Sequence, residues 1–151
     1  MPTELARQFR SAMEALSVEL GTVPASLAGV PWREGGWTRR QILGHLMDSC
    51  ANNRQRIVCA SLDGSYTGPG YAQELWVEAH GYGDQKWETL VKWWRVEHEI
   101  LMALVDRIPQ ERLAAECTVN GNEPITLGFL LTDYRRHQRA HFDQLKTGLP
   151  G

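Results

Sequence analysis

Helical periodicity recurs in four stretches of this chain, each closed by glycine or proline, and no other feature constrains the fold as strongly. The first stretch, residues 3–20, places Leu5, Phe9, Ala12, Leu16 and Leu20 near one face and stops at Gly21 and Pro24. The second is expected over 38–62: Thr38 opens it, Gln41 stands in the capping-box position, and Asp63-Gly64 ends it. At about 100° per residue, Ile42, Leu43, Leu46, Met47, Cys50, Ile57 and Val58 share one arc of that helix. The third, 84–107, takes Asp84 as its N-cap, carries Trp87, Leu90, Val91, Trp94, Leu101 and Val105 on one stripe, and ends before Pro109. Thr126 caps the fourth, which runs to about residue 146 with an apolar stripe of Leu127, Leu130, Leu131, Tyr134, Phe142 and Leu145.

Four amphipathic helices specify an all-α antiparallel four-helix bundle more readily than any sheet protein. The connections after the first two are long, which leaves room for helices that are not sequential neighbours. Residues 21–37 are rich in Gly and Pro without a sustained period, and 64–83 has turn chemistry at both ends with a short helix expected at 73–79. A connection of that length suits a binding element or lid. Asn120-Gly121 predicts a tight turn or short hairpin at 119–122.

At 151 residues the expectation is a single domain spanning 1–151. Hydrophobic residues at 42% are enough for a core, and a net charge of -2 without a basic block argues against nucleic acid or anionic lipid as partners. Charges scattered through the first twenty positions argue against a signal peptide, and no window is apolar enough to span a membrane. Three cysteines without a CxxC pair argue against a disulfide scaffold and a thiolate zinc site, so a reducing cytoplasm is the expected compartment.

Six tryptophans and five histidines remain to be placed. His137 and His141 are four apart on the inner side of the fourth helix, so their imidazoles project from adjacent turns. HxxxH is a common way for one helix to offer two nitrogens to a divalent metal. His45 lies beside the apolar arc of the second helix, followed on the same side by Ser49, Asn52 and Arg56. Packing of the second helix on the fourth would make it the third nitrogen, leaving an open position for water or substrate. Asp48 is a candidate carboxylate behind the metal, or a base, or a solvated residue. Each histidine also has a plainer reading, as a core imidazole bonded to a carbonyl. His98, between Trp94 and Leu101, suits a partner behind the site or a satisfied core residue better than a fourth ligand, and His80 suits a surface loop. Trp87 and Trp94 read as core and Trp37 as a hydrophobic staple, whereas Tyr71 and Trp76 are candidates for covering a pocket. Trp93 lies off its helix's stripe and suits a dimer contact. Arg39-Arg40 and Arg135-Arg136 read as solvated helix faces, and Cys50 as buried and inert.

The run from Gly36 to Ser49 (GWTRRQILGHLMDS), with Thr126-Leu127-Gly128-Phe129-Leu130-Leu131 and the closing His137-x-x-x-His141, resembles the DinB/YfiT-like metalloenzyme superfamily, which is unrelated to the DNA polymerase sharing the DinB name. The similarity covers most of the chain, and three separated elements agree in order and spacing. The resemblance implies a four-helix bundle in which His45, His137 and His141 bind a divalent metal, and three histidines suit zinc, nickel and iron alike. It further implies a homodimer, and an enzyme related to transferases and isomerases that use small thiols such as bacillithiol or mycothiol. On that basis the expected reaction is a metal-dependent thiol S-transfer to an electrophilic substrate, with Asp48, Asn52 and Arg56 as candidate catalytic or pocket residues. A metal-dependent hydrolase at the same site is the nearest alternative. A ligand-binding or stress-associated bundle with a structural metal or none is the non-catalytic one.

Overall fold

The computed structural model describes residues 1–150. In chain order its elements are α1 (Glu4–Leu20), α2 (Arg39–Asp63), β1 (Ser65–Gly68), α3 (Gln73–His80), α4 (Trp87–Asp106), β2 (Glu116–Val119), β3 (Ile125–Thr126) and α5 (Leu127–Leu145). Three helix starts follow directly from hydroxyl caps. The Thr3 hydroxyl accepts from the Ala6 amide, Thr38 and Gln41 form a reciprocal capping box, and the Thr126 hydroxyl accepts from the Phe129 amide. At its far end α2 stops on Gly64, whose φ of 80° is a conformation that side-chain-bearing residues avoid.

Helices α1 and α2 each pack against both α4 and α5, so the order around the bundle is α1, α4, α2, α5. Chain neighbours α1 and α2 therefore sit diagonally, as do α4 and α5. The connections from α1 to α2 and from α4 to α5 therefore cross the end of the bundle, whereas the long one from α2 to its neighbour α4 carries β1 and α3. The fold is the expected four-helix bundle, with α3 added in the second connection close to where it was predicted. The core runs from Phe9 and Met13 through Ile42, Leu46 and Trp94 to Leu131 and Phe142, all buried.

A small sheet lies against α2 and α5. The turn at Asn120 (φ 56°) and Gly121 (φ 70°) is the left-handed pair expected of a tight hairpin, and it joins β2 to β3. Strand β1 adds in parallel to β2, pairing Ser65 with Glu116 and Gly68 with Val119. No periodicity announces a four-residue strand whose partner lies some fifty positions away.

Three local expectations are corrected. α4 begins at Trp87 after Lys86, which offers no side-chain cap, while Asp84 ends a 3-10 turn at Tyr82–Asp84. That turn buries Tyr82 against Gly44 of α2, where a Cβ would come within 2.1 Å of the ring. On α1 the buried face is Ala6, Phe9, Met13, Leu16 and Leu20, with Leu5 and Ala12 only partly covered. Arg39 is buried rather than solvated. Its guanidinium donates to the carbonyls of Val30, Pro31, Leu145 and Thr147, tying the start of α2 to the end of α5. No helix of the described residues is long and apolar enough to cross a membrane.

Candidate metal centre

Because α2 and α5 are adjacent and antiparallel at this end, His45 in the second turn of α2 meets His137 and His141 of α5. Their three rings lie with centroids 4.6 to 5.0 Å apart, each pair close to edge-on. One ring nitrogen from each falls within 4.8 Å of the other two. The Nε2 atoms of His45 and His137 are 3.1 Å apart. Two imidazole nitrogens at about 2.0–2.1 Å from one tetrahedral ion would be a little over 3 Å apart, so this edge already has the right length. Trp37 closes one side, its ring centroid 4.9 Å from that of His45. The tryptophan beside the cap thus serves as a wall of the histidine cluster.

The protonation states suit ligation. His141 Nδ1 lies 2.8 Å from Gln144 Oε1, an acceptor, so Nδ1 carries the hydrogen and Nε2 keeps its lone pair. His45 is fully buried, and its Nδ1 has no hydrogen-bond partner. Burial, with the two neighbouring imidazoles, depresses the His45 pKa to about 3. Burial and His141 hold His137 at about 4, and burial lowers His141. Near neutral pH all three are uncharged, the form that binds a metal without proton competition. A trio of neutral imidazoles, one fully buried, two half-buried and one of these fixed in its tautomer, fits a divalent cation.

A cavity of about 250 Å³ opens beside His137. Ser49, Asn53 and Arg56 of α2 line one wall, Asp133 and Tyr134 of α5 the other, and Val119 and Ile125 of the sheet with Leu130 make an apolar floor. Tyr71 from the connection between β1 and α3, and Gln73 at the start of α3, reach in, so the segment expected to cover a pocket does border one. Trp76 packs edge-on against Tyr71, with centroids 5.2 Å apart.

Of the candidate pocket residues, Arg56 lines this cavity, while Asp48 and Asn52 do not. Asn52 Nδ2 turns back to the Asp48 carbonyl at 2.9 Å, and its neighbour Asn53 takes the lining position. Asp48 is buried and accepts the Tyr82 hydroxyl at 2.6 Å, with His80 Nδ1 at 3.4 Å. Burial raises its pKa, against the pull of Tyr82 and His80. It is a packing anchor for the turn before α4. His80 belongs to that anchor, stacked on Tyr82 with centroids 4.8 Å apart.

His98 is a satisfied core residue. Its Nδ1 donates to the Trp94 carbonyl at 2.8 Å, so Nε2 accepts from the Tyr134 hydroxyl at 2.7 Å. Burial lowers its pKa to about 4. The sequence reading passed over Asp133 and Gln144. Both carry a positional signal, one turn before His137 and one turn after His141 respectively.

A model of the DinB superfamily matches residues 3–145. A relative in Oceanobacillus iheyensis, named as a putative metal-dependent hydrolase, is 29% identical over 118 residues, 78% of this chain and 68% of that protein. Another of the same description, from Bacillus mycoides, is 33% identical over 78 residues, 52% of this chain but only 39% of its own. Among solved structures, YfiT from Bacillus subtilis, described as a probable metal-dependent hydrolase with an unusual four-helix bundle topology, superposes with a TM-score of 0.81 at 22% identity, covering 97% of this chain and 88% of YfiT. A mycothiol-dependent maleylpyruvate isomerase gives a TM-score of 0.78 at 15% identity, covering 96% of this chain and 60% of the isomerase. These two structures share the fold. With nearly its whole length matched, from the first helix through both histidines of α5, the chain belongs to the DinB superfamily.

Proposed function

We propose that this protein is a divalent-metal-dependent enzyme in which His45, His137 and His141 hold the ion and a small thiol is the nucleophile transferred to an electrophilic substrate. The observation that carries the reading is the convergence of three neutral imidazoles at the side of a lined cavity. Held by neutral ligands only, a divalent ion keeps its full charge and supplies Lewis acidity that favours the deprotonated form of a thiol or water. The protein's own groups do the rest. Gln144 fixes His141, burial keeps His45 and His137 unprotonated, and Trp37 shields the cluster. Asp133, a carboxylate on the cavity wall, is placed to take up a proton released there. The apolar floor excludes water from the side on which an organic substrate would rest.

The same arrangement supports a second reading, hydrolysis with water as nucleophile, favoured by the descriptions of the two curated relatives. Both require the metal and differ in the cosubstrate. Protein purified without a His tag is expected to carry about one equivalent of zinc, nickel or iron, and the His137→Ala variant to carry none. Folded protein that stays metal-free after incubation with each of these ions would remove both readings. With metal bound, a panel of electrophiles assayed with and without bacillithiol or mycothiol separates them. Turnover that needs the thiol supports transfer, and turnover of esters or amides without it supports hydrolysis.

A further inference from the structure

We infer that the cavity beside the histidine cluster is a subsite for a small organic anion, with Arg56 binding the carboxylate or a similar oxyanion of the substrate. The inference rests on the proposed role of the cluster only for what happens at the other end of the ligand. Arg56 sits in the half-buried wall of α2 and, among the described residues, has no carboxylate within ion-pairing distance. Its contacts are two long ones of 3.4 Å each, to Asn53 Oδ1 and to the Pro69 carbonyl. A guanidinium has five N–H donors in a fork that matches an oxyanion, so most of the capacity of this cavity-lining one is unspent.

Among the described residues, Arg56 is the one Lys or Arg side chain lining the cavity. Asp133, the acidic one, stands on the opposite helix, on the same wall as His137. The charges thus define a direction, with an anionic head at Arg56 and the reacting end toward His137. Asn53 fixes that direction locally: its Nδ2 donates to the Ser49 carbonyl at 2.9 Å, which leaves Oδ1 to orient the guanidinium. Because Arg56 reaches back one turn to Asn53, its head lies about 12 Å along the helix axis from His45, at 1.5 Å per residue. The cavity, at about 250 Å³, is below the usual range for drug-sized ligands. Together these dimensions describe a short carboxylate with an apolar body lying on Val119, Ile125 and Leu130.

The test uses the protein as purified, and it reads binding rather than the chemistry of the centre. The probes are 4-phenylbutyrate and its neutral counterpart 4-phenylbutyramide, titrated by calorimetry at millimolar concentration. The acid is expected to bind wild type about tenfold or more tightly than the amide, as a charge-assisted contact implies. Arg56→Gln should erase that preference while leaving amide binding unchanged, Arg56→Lys should keep part of it, and the exposed Arg136→Gln should keep all of it. Equal binding of acid and amide by wild type, no binding of either, or a preference that survives Arg56→Gln would each overturn the inference. The same titration on His137→Ala separates the two proposals. Preference kept there with metal lost leaves the anion subsite standing alone, and preference lost with Arg56→Gln while metal is retained shows that the centre does not depend on it.

Discussion

The Nε2 atoms of His45 and His137 face each other at 3.1 Å although 92 positions separate them in sequence. Neither has a carboxylate hydrogen-bonded to it, and both are depressed in pKa by burial and by neighbouring imidazole. Two neutral rings held nitrogen to nitrogen gain at most one shared proton from each other. A cation between them would satisfy both lone pairs.

That arrangement sets a pH limit on the metal-free protein. His45 at about 3, and His98 and His137 at about 4, bind protons more weakly folded than unfolded. Their contribution to stability is complete above the ordinary histidine value of about 6.5 and is lost as pH falls from there toward the folded values. By about pH 5 the fully buried His45 and His98 should each have cost roughly 2 kcal/mol. Urea midpoints measured from pH 7.5 down to about 4.5 should fall accordingly, and a flat profile would contradict the buried neutral state.

Gln144 is expected to matter for the metal without touching it. Gln144→Leu removes the acceptor for His141 Nδ1–H, and loss of such an orienting bond typically weakens metal affinity about 10- to 100-fold. Competition with a chromophoric chelator measures it. Affinity unchanged within error would mean that the tautomer of His141 is set elsewhere.

His98 separates core from ligand. His98→Ala deletes a buried ring stacked on Trp94, with centroids 4.0 Å apart, and leaves the Tyr134 hydroxyl without its acceptor. A loss of about 2–4 kcal/mol in chemical denaturation is expected. Metal content should stay at the wild-type level, and its disappearance in a folded variant would make His98 part of the centre.

Gly44→Ala tests the Tyr82 anchor. The new Cβ would meet the Tyr82 ring at 2.1 Å, so the ring must move and its bond to Asp48 must break. Destabilisation above about 2 kcal/mol is expected from the combined overpacking and lost hydrogen bond. Tyr82→Phe, which keeps the ring, should cost less, and thermal melting of the two variants ranks them.

Much of this was legible in the sequence. Hydroxyl caps and apolar stripes located three of the four bundle helices to within a residue or two at their starts, and HxxxH with His45 picked out the three rings that meet. The rest was not legible, for separate reasons. From Ile42 to Cys50 every residue of α2 is buried, so periodicity could not tell which polar side chains face the cavity and which anchor a neighbour. Asp48 bonds Tyr82, and Asn53 rather than its neighbour Asn52 lines the cavity. The start of α4 was missed because Asp84 has the chemistry of a cap but is held in the turn that buries Tyr82. Strand β1 and the buried guanidinium of Arg39 depend on partners distant in the chain, and no local pattern records them.

Arg39 also bears on how this sequence can change. All four of its acceptors are main-chain carbonyls, which every residue type possesses, so substitutions at positions 30, 31, 145 and 147 leave the clasp intact. Its tolerance for insertions and deletions is the opposite. One residue added or removed between His141 and Thr147 would rotate the accepting carbonyls by about 100° away from the fork. As far as this clasp is concerned, the two helices that carry the histidines are thus registered by length rather than by residue identity, and homologues should keep the count of residues from His141 to position 147 more strictly than the identity of residue 147.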